Sequence, residues 1–215
     1  MNERANRHEA YERAVDACIH VLGVTAGFAG AAALMIVAMV NLPAWSTVSL
    51  GIYAVGLVSV FVFSAGYHLV RRPQLKAVLR RFDQAAIYVK IAGTYTPFAM
   101  VNMRGLSGYL LLTLVWAVAL FGVTAKLLWF GRMMRTSYVL YLAQGWAVLA
   151  VLEPFSTAVS VRALLLLVIG GGLYTMGFIL YLWQEWPYQT AIWHAFVLAG
   201  SCCHFAAIVD SIVLV

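Results

Sequence analysis

The sequence predicts an all-α integral membrane protein, a bundle of seven transmembrane helices. Of its 215 residues, 64% are hydrophobic and only 10% are charged, whereas a soluble domain usually has about 25% charged residues. Apolar runs near the length of about 20 residues that crosses a bilayer cover almost the whole chain. They lie at residues 17–40, 46–70, 82–103, 106–130, 136–155, 161–183 and 190–214. We therefore expect residues 1–215 to form one membrane domain, with residues 1–16 as a cytoplasmic N-terminal segment.

Helix breakers mark the ends of these runs in chain order. Pro43 separates the first two spans, Pro73 separates the second from the third, Gly131 follows the fourth, Pro154 ends the fifth, and Pro187 precedes the seventh. Prolines and glycines are typical of such boundaries because they end helices or begin them. Pro97 lies inside the third span and is expected to kink it.

Positive charge is concentrated in alternate connections. One side of the predicted bundle carries Arg4, Arg7, Arg13, Arg71, Arg72, Lys76, Arg80, Arg81, Arg132 and Arg135, and the other carries Arg104 and Arg162. The positive-inside rule then predicts a cytoplasmic N-terminus and, after seven crossings, an external C-terminus. These juxtamembrane charges favour anionic lipid headgroups at the cytoplasmic face as partners rather than nucleic acid. They identify no protein partner. The mixed charges of residues 1–15 also argue against a signal peptide.

Three polar side chains interrupt the apolar runs at a similar depth. His68 ends the second span, Asp83 opens the third, and His194 lies about one turn into the seventh. All three are predicted to lie in one shallow layer on the cytoplasmic side, where ionisable groups are costly and need partners. Two imidazoles and a carboxylate would suit zinc. The alternative is that each histidine donates a hydrogen bond to a neighbouring carbonyl within the bundle.

Several segments resemble a known family. SAGYH (64–68), FDQAAIYVKIAGTYTPF (82–98) and IWHAFVLAGSCCHF (192–205) are similar to the haemolysin III branch of the progestin and adipoQ receptor family, and YERAVDACIHVLG looks like the family's first helix. The resemblance covers most of the chain in order. It implies seven helices, a cytoplasmic N-terminus and, since these relatives are bacterial, the inner membrane of a bacterial cell.

The resemblance also implies a zinc site. The family holds zinc by one histidine of the second helix and two of the seventh, and an aspartate of the third helix orients water. His68, His194 and Asp83 match three of these positions, and Ser64 matches a serine one turn before His68, which makes Asp83 and Ser64 the candidate catalytic residues. The remaining ligand position is occupied by Thr190.

Thr190 leaves only two of the three expected histidines, because a neutral hydroxyl is a poor zinc ligand. Asp83 could restore the count by binding the metal directly, or the metal could be lost; zinc remains the expected cofactor. His20 could be a neighbour of the site or an interface residue, and the second is expected. Lys90 is expected to face a polar cavity, and Lys126 to extend towards the membrane surface.

Three functions fit these features. The first is a membrane protein that senses lipid or maintains the bilayer, with zinc joining its helices. The alternative is a zinc-dependent hydrolase of lipid amides, similar to a ceramidase. The third is a pore-forming cytolysin or channel, which is least favoured because the sequence lacks the amphipathic or secretory features of an exported pore former.

Overall fold

The chain is helical throughout the part that the structure describes. A computed structural model describes residues 3–103, 105–131, 134–183 and 186–214, and the side chains of all of these except residues 3–9, 134 and 135. Eight α-helices lie within these ranges: α1 Glu3–Asn41, α2 Ala44–Leu69, α3 Pro73–Pro97, α4 Leu106–Leu128, α5 Met134–Gly145, α6 Leu152–Ala158, α7 Val161–Leu182 and α8 Gln189–Ile208. Short π-helical turns extend α3 over Phe98–Asn102 and α8 over Val209–Val213, and a 3₁₀ turn over Ala147–Val151 joins α5 to α6.

Five helices are long and apolar enough to cross a membrane. They are α1 from residue 10 onward, α2, α4, α7, and α8 with its π-helical extension. The α5–α6 pair is bent by 41° and gives a sixth span when counted as one. The protein is therefore a multi-pass membrane protein. Helix α3 carries five charged residues and is not among these spans, so the count of seven spans and the orientation of the termini stay predictions.

Two helices begin earlier than the apolar runs suggest. Helix α1 starts at Glu3 rather than at residue 17, so the predicted N-terminal segment is mostly helix. Helix α3 starts at Pro73 rather than at residue 82, with the proline at a position where its missing N–H costs nothing. Hydropathy locates apolar residues, whereas these first turns are polar and basic and still helical.

The fifth predicted span is broken in its middle. The Tyr95 hydroxyl inserts at the break, where it donates a hydrogen bond to the Gly145 carbonyl and accepts one from the Val148 N–H at 3.3 Å. The Trp146 indole donates to the Thr175 hydroxyl at 3.1 Å. The Tyr95 side chain thus satisfies backbone groups that a continuous helix would satisfy itself, which a membrane interior requires.

The helices that carry the candidate site are neighbours in the bundle. Helix α1 packs against both α2 and α8, and α2 packs closely against α3. Glycines allow this second approach: a Cβ atom on Gly56 would lie 3.1 Å from the Lys90 Cα atom, and one on Gly93 would lie 3.2 Å from the Ile52 carbonyl oxygen. Because α1 contacts both α2 and α8, these three helices lie side by side, and α3 lies directly against α2.

Substituting Gly122 by alanine is expected to lower the free energy of unfolding by about 1–3 kcal/mol, the usual cost of overpacking. A Cβ atom there would lie 2.4 Å from the Tyr88 ring, which is fully buried and has no room to move. Thermal unfolding in detergent measures the effect. Gly172→Ala in α7 is the matched control, because no atom lies within 4 Å of its Cβ position. Equal melting temperatures for the two variants would contradict the close packing of α4 on α3.

Candidate metal centre

Four potential metal ligands converge at one end of the bundle. Asp16 and His20 come from α1, His68 comes from α2 and His194 comes from α8, and one ligand atom of each lies within 4.8 Å of the others. Asp16 and His20 are four residues apart and therefore share a face of α1. The group forms because α1 packs against both of the other helices.

The Asp16 carboxylate lies at the centre of the group. Its Oδ1 atom is 2.7 Å from His194 Nδ1, and its Oδ2 atom is 3.4 Å from His20 Nε2 and 3.5 Å from His68 Nδ1. The His194 ring centroid is 4.2 Å from that of His20 and 4.5 Å from that of His68. Three imidazoles therefore surround one carboxylate.

These four residues fit zinc. Tetrahedral coordination with bonds of about 2.0–2.2 Å separates neighbouring ligand atoms by roughly 3.3–3.6 Å, and nitrogen and oxygen ligands are both accepted. The separations of Asp16 Oδ2 from His20 Nε2 and His68 Nδ1, 3.4 Å and 3.5 Å, lie in that range. The 2.7 Å contact of Asp16 Oδ1 with His194 Nδ1, by contrast, is a hydrogen bond and too short for two ligands of one ion. In addition, the His20 Nε2 atom is buried and makes no hydrogen bond. Buried nitrogens rarely lack a partner, so the unsatisfied imidazole of His20 is consistent with a metal ion bound at this point.

The two histidines that the sequence singles out do come together, whereas Asp83 is not among the four grouped residues. His68 and His194 are both in the group, and its carboxylate is Asp16. Asp83 lies on α3, which packs against α2 and α4 rather than between α1 and α8. Thr190 lines the adjoining cavity one turn before His194. With His20, the group still has three histidines although position 190 is a threonine.

Ser64 and Asp83 lie beside the group. The Ser64 hydroxyl is 3.4 Å from His194 Nε2, on the ring edge opposite to Asp16. Asp83 is a close neighbour of Ser64, and both line a cavity that the three histidines of the group also line. The two candidate catalytic residues thus adjoin the centre, where they can contact a bound molecule.

The contribution of α1 is the part that the sequence reasoning missed. The expectation that His20 lies at an interface is wrong, since its side chain is only 3% exposed and contacts two other imidazoles. The available signal was the spacing of Asp16 and His20 in DACIH, because an aspartate and a histidine four residues apart in an apolar helix need a common partner.

A cavity of about 430 Å³ extends from the three histidines of the group into the bundle. Apart from α4, every α-helix contributes to its wall, and aromatic and aliphatic side chains predominate. Its polar residues include Thr190 beside the centre and, deeper in the bundle, Lys90, Tyr174 and His204. Lys90 lines a cavity, as predicted, but the wall of this cavity is mainly apolar rather than polar. The volume is within the range of about 300–1,000 Å³ typical of small-molecule sites.

Lys126 does not extend to the membrane surface as expected. It is 5% exposed, and its Nζ atom donates a hydrogen bond of 2.8 Å to Gln84 Oε1. The Tyr141 hydroxyl donates to the Gln84 carbonyl oxygen at 2.8 Å. Gln84 therefore joins α3 to α4 and α5, and it belongs to the cavity wall rather than to the metal group.

Known sequences match nearly the whole chain. A family profile described as haemolysin-III related matches residues 10–205. A hemolysin-3 homolog of Bacillus subtilis (strain 168) is 36% identical over 194 residues, which are 90% of this chain and 91% of that protein. Hemolysin-3 of Bacillus cereus is 32% identical over 207 residues, 95% of this chain and 94% of its own length.

A more distant similarity reaches human proteins. The monocyte to macrophage differentiation factor of Homo sapiens is 25% identical over 219 aligned positions, covering 97% of this chain and 90% of the human protein. No solved structure matches the chain. The resemblance found in segments 64–68, 82–98 and 192–205 is confirmed by these full-length matches.

Proposed function

We propose, because this chain belongs to the haemolysin-III related family, that it is a bacterial inner-membrane protein that hydrolyses a lipid amide at a zinc centre. One observation carries the proposal: three histidines grouped with an aspartate line a cavity whose wall is mainly apolar. A zinc site that only joined helices would need no adjoining space for a ligand, whereas a hydrolase of lipids needs room for an acyl chain.

Zinc would be held by His20, His68 and His194, with Asp16 as the carboxylate of the group. Three protein ligands beside an open position are typical of catalytic zinc sites. When bound, zinc supplies a Lewis acid that polarises a carbonyl group and lowers the pKa of water to about 7. The short contact from Asp16 to His194 Nδ1 fixes the orientation of that ring, as carboxylates beside metal-binding histidines usually do.

The chain's own residues supply the remaining chemistry. The Asp83 carboxylate accepts a proton from the attacking water and returns it to the departing amine, a general acid–base role of positioned carboxylates. Ser64 lies next to both Asp83 and His194 and orients them by hydrogen bonding. The aromatic and aliphatic wall binds the acyl chain and excludes bulk water from the scissile bond.

The distribution of basic residues supports a cytoplasmic location for this centre. Arg71 and Arg72 lie just beyond the end of α2, three and four residues after His68, and Arg80 and Arg81 precede Asp83. Positive charge in short loops favours the cytoplasmic side, and such residues attract anionic headgroups. The substrate would then enter from the inner leaflet.

A second candidate function is a lipid sensor in which zinc joins α1, α2 and α8. The specific observation in its favour is the number of ligands: with Asp16 bound directly, the four residues complete a tetrahedral set, as in structural zinc sites. The cavity would then hold a lipid whose binding changes the packing of these helices.

Removing zinc with a chelator separates the two candidates. The purified protein, reconstituted in phosphatidylcholine vesicles with a fluorescent ceramide, is expected to release fatty acid, and chelation is expected to reduce the rate to less than about 1%, since a metal-dependent barrier reduction is worth several kcal/mol. The melting temperature should fall under either function, by roughly 8–16 °C if zinc was present at a thousandfold its Kd.

Adding zinc back to the chelated protein is the control and should restore both properties. A fall in melting temperature without fatty acid release from the zinc-loaded protein would favour the sensor. Release that continues unchanged after chelation would contradict the hydrolase.

A further inference from the structure

A second polar cluster lies deeper in the bundle, away from the metal centre, and three of its four residues line the same cavity. It consists of Lys90 on α3, Tyr174 on α7, and Ser201 and His204 on α8. The Lys90 ammonium group donates a hydrogen bond to the Tyr174 hydroxyl, which lies 2.7 Å from the Ser201 hydroxyl. The Lys90 Nζ atom is also 4.3 Å from the centroid of the Tyr174 ring. His204 is ten residues beyond His194, about 15 Å along the helix, so the two clusters are separate.

The positive charge of Lys90 has no counter-ion among the described residues. Its side chain is only 5% exposed, and no described carboxylate forms an ion pair with it. The nearest acidic residue along its own helix is Asp83, seven residues away and therefore about 10 Å distant along the axis. A buried charge without a partner is strongly destabilising, and in membrane proteins such a residue usually marks a ligand site.

Other groups around Lys90 also lack partners. Both ring nitrogens of His204 and the Tyr53 hydroxyl are buried without a hydrogen bond. The His204 ring is 5.3 Å from the Tyr174 ring, between centroids. It fits only because residue 170 is glycine, where a Cβ atom would lie 2.4 Å from the ring. An ammonium, hydroxyls and an imidazole offer hydrogen-bond donors in excess, and the ligand that satisfies them is an acceptor with negative charge.

We propose that the cluster of Lys90, Tyr174, Ser201 and His204 binds the carboxylate of a long-chain fatty acid, whose acyl chain occupies the apolar part of the cavity. A single full positive charge balances a carboxylate, whereas a phosphate monoester would keep an uncompensated negative charge in the membrane. The lining near the cluster includes Leu164, Leu167 and Phe155, which suit a hydrocarbon chain. The site does not require the metal centre or the proposed hydrolysis, because its residues bind the carboxylate by themselves.

Binding of radiolabelled oleate to the full chain in a non-ionic detergent tests the proposal. The wild-type protein is expected to bind one oleate per chain, and its melting temperature should rise by roughly 5–10 °C at a hundredfold excess over the Kd. Methyl oleate, which has the same chain and no carboxylate, should produce neither effect. Both results should persist in the His68→Ala variant, which lacks a metal ligand, so failure of the hydrolase proposal would not remove them.

Variants of the two buried lysines provide the matched comparison. Lys90→Met is expected to weaken oleate binding by about 10–100-fold, the loss expected for a hydrogen bond to a charged group. Lys126→Met should leave binding unchanged, because Lys126 is equally buried but bonds to Gln84. Tyr174→Phe keeps the ring and removes the hydroxyl, and should weaken binding even if Lys90→Met does not fold.

Three outcomes would overturn the proposal: equal oleate affinity in the wild type and in both Lys90→Met and Tyr174→Phe, equal stabilisation by methyl oleate, or stabilisation by chloride with no effect of oleate. The last result would assign the cluster to an inorganic anion.

Discussion

Replacing His20 by alanine is expected to reduce zinc in the purified protein from one ion per chain to less than about a tenth of that. Without His20, only two imidazoles and a carboxylate remain in the group, and metal sites that lose a ligand bind far more weakly. Elemental analysis after desalting measures the zinc content. His204→Ala is the matched control, because His204 is also an intramembrane histidine but lies in the second cluster.

The same measurement decides between the two ligand sets. The sequence suggests His68, His194 and Asp83, whereas the geometry favours His20, His68 and His194, with Asp16 beside them. Zinc that is retained in His20→Ala and lost in Asp83→Asn would support the first set and contradict the second. Thr190→His should have little effect on zinc content if α1 already completes the site.

The sequence could predict half of this centre because His68 and His194 lie within segments that resemble a family. The other half depends on tertiary structure. Asp16 and His194 are 178 positions apart, and nothing in either helix alone indicates that α1 packs beside α8. Thr190, at the position where the family has a histidine, indicates a site with too few ligands as long as the ligands come only from the second, third and seventh spans. A ligand pair on the first helix was visible in DACIH, but its partners were not.

The fold shows the same division between local and tertiary causes. Pro43 and Pro73 mark helix boundaries that the sequence predicts, since proline acts through its own backbone. The break after Gly145 was not predicted, because no proline causes it and the Tyr95 hydroxyl that satisfies its polar groups belongs to another helix. The early start of α3 was missed because its first turns are helical without being apolar.

The two polar clusters make the two ends of the cavity chemically different. The metal group lies at one end, and Lys90 lies about two turns further into the bundle than Asp83. A lipid amide bound at the first cluster would yield a fatty acid whose carboxylate is attracted to the second. The protein could then retain its product, and fatty acid would inhibit turnover in the wild type but not in Lys90→Met if both proposals hold.

Replacing Asp83 by asparagine is expected to lower kcat for the fluorescent ceramide by about 10²–10⁴-fold, the usual contribution of a general acid–base group, and to leave zinc content unchanged. The reason is that Asp83 lines the cavity beside Ser64 and is not among the four grouped residues. Asp16→Asn is the matched carboxylate substitution. It should weaken zinc binding by about 10–100-fold, as loss of a carboxylate beside a metal-binding histidine does, so added zinc should restore most of its activity.

The two aspartates are thus expected to have different roles. Saturating zinc distinguishes the two variants, because added zinc corrects a defect in metal binding and cannot replace a proton acceptor. Full activity of Asp83→Asn, together with an Asp16→Asn variant that zinc does not rescue, would show that Asp16 is the proton acceptor and Asp83 only part of the cavity wall. The contact between Asp16 Oδ1 and His194 Nδ1 could persist during turnover, since a carboxylate has two acceptor oxygens and the Oδ2 atom would then accept the proton of water.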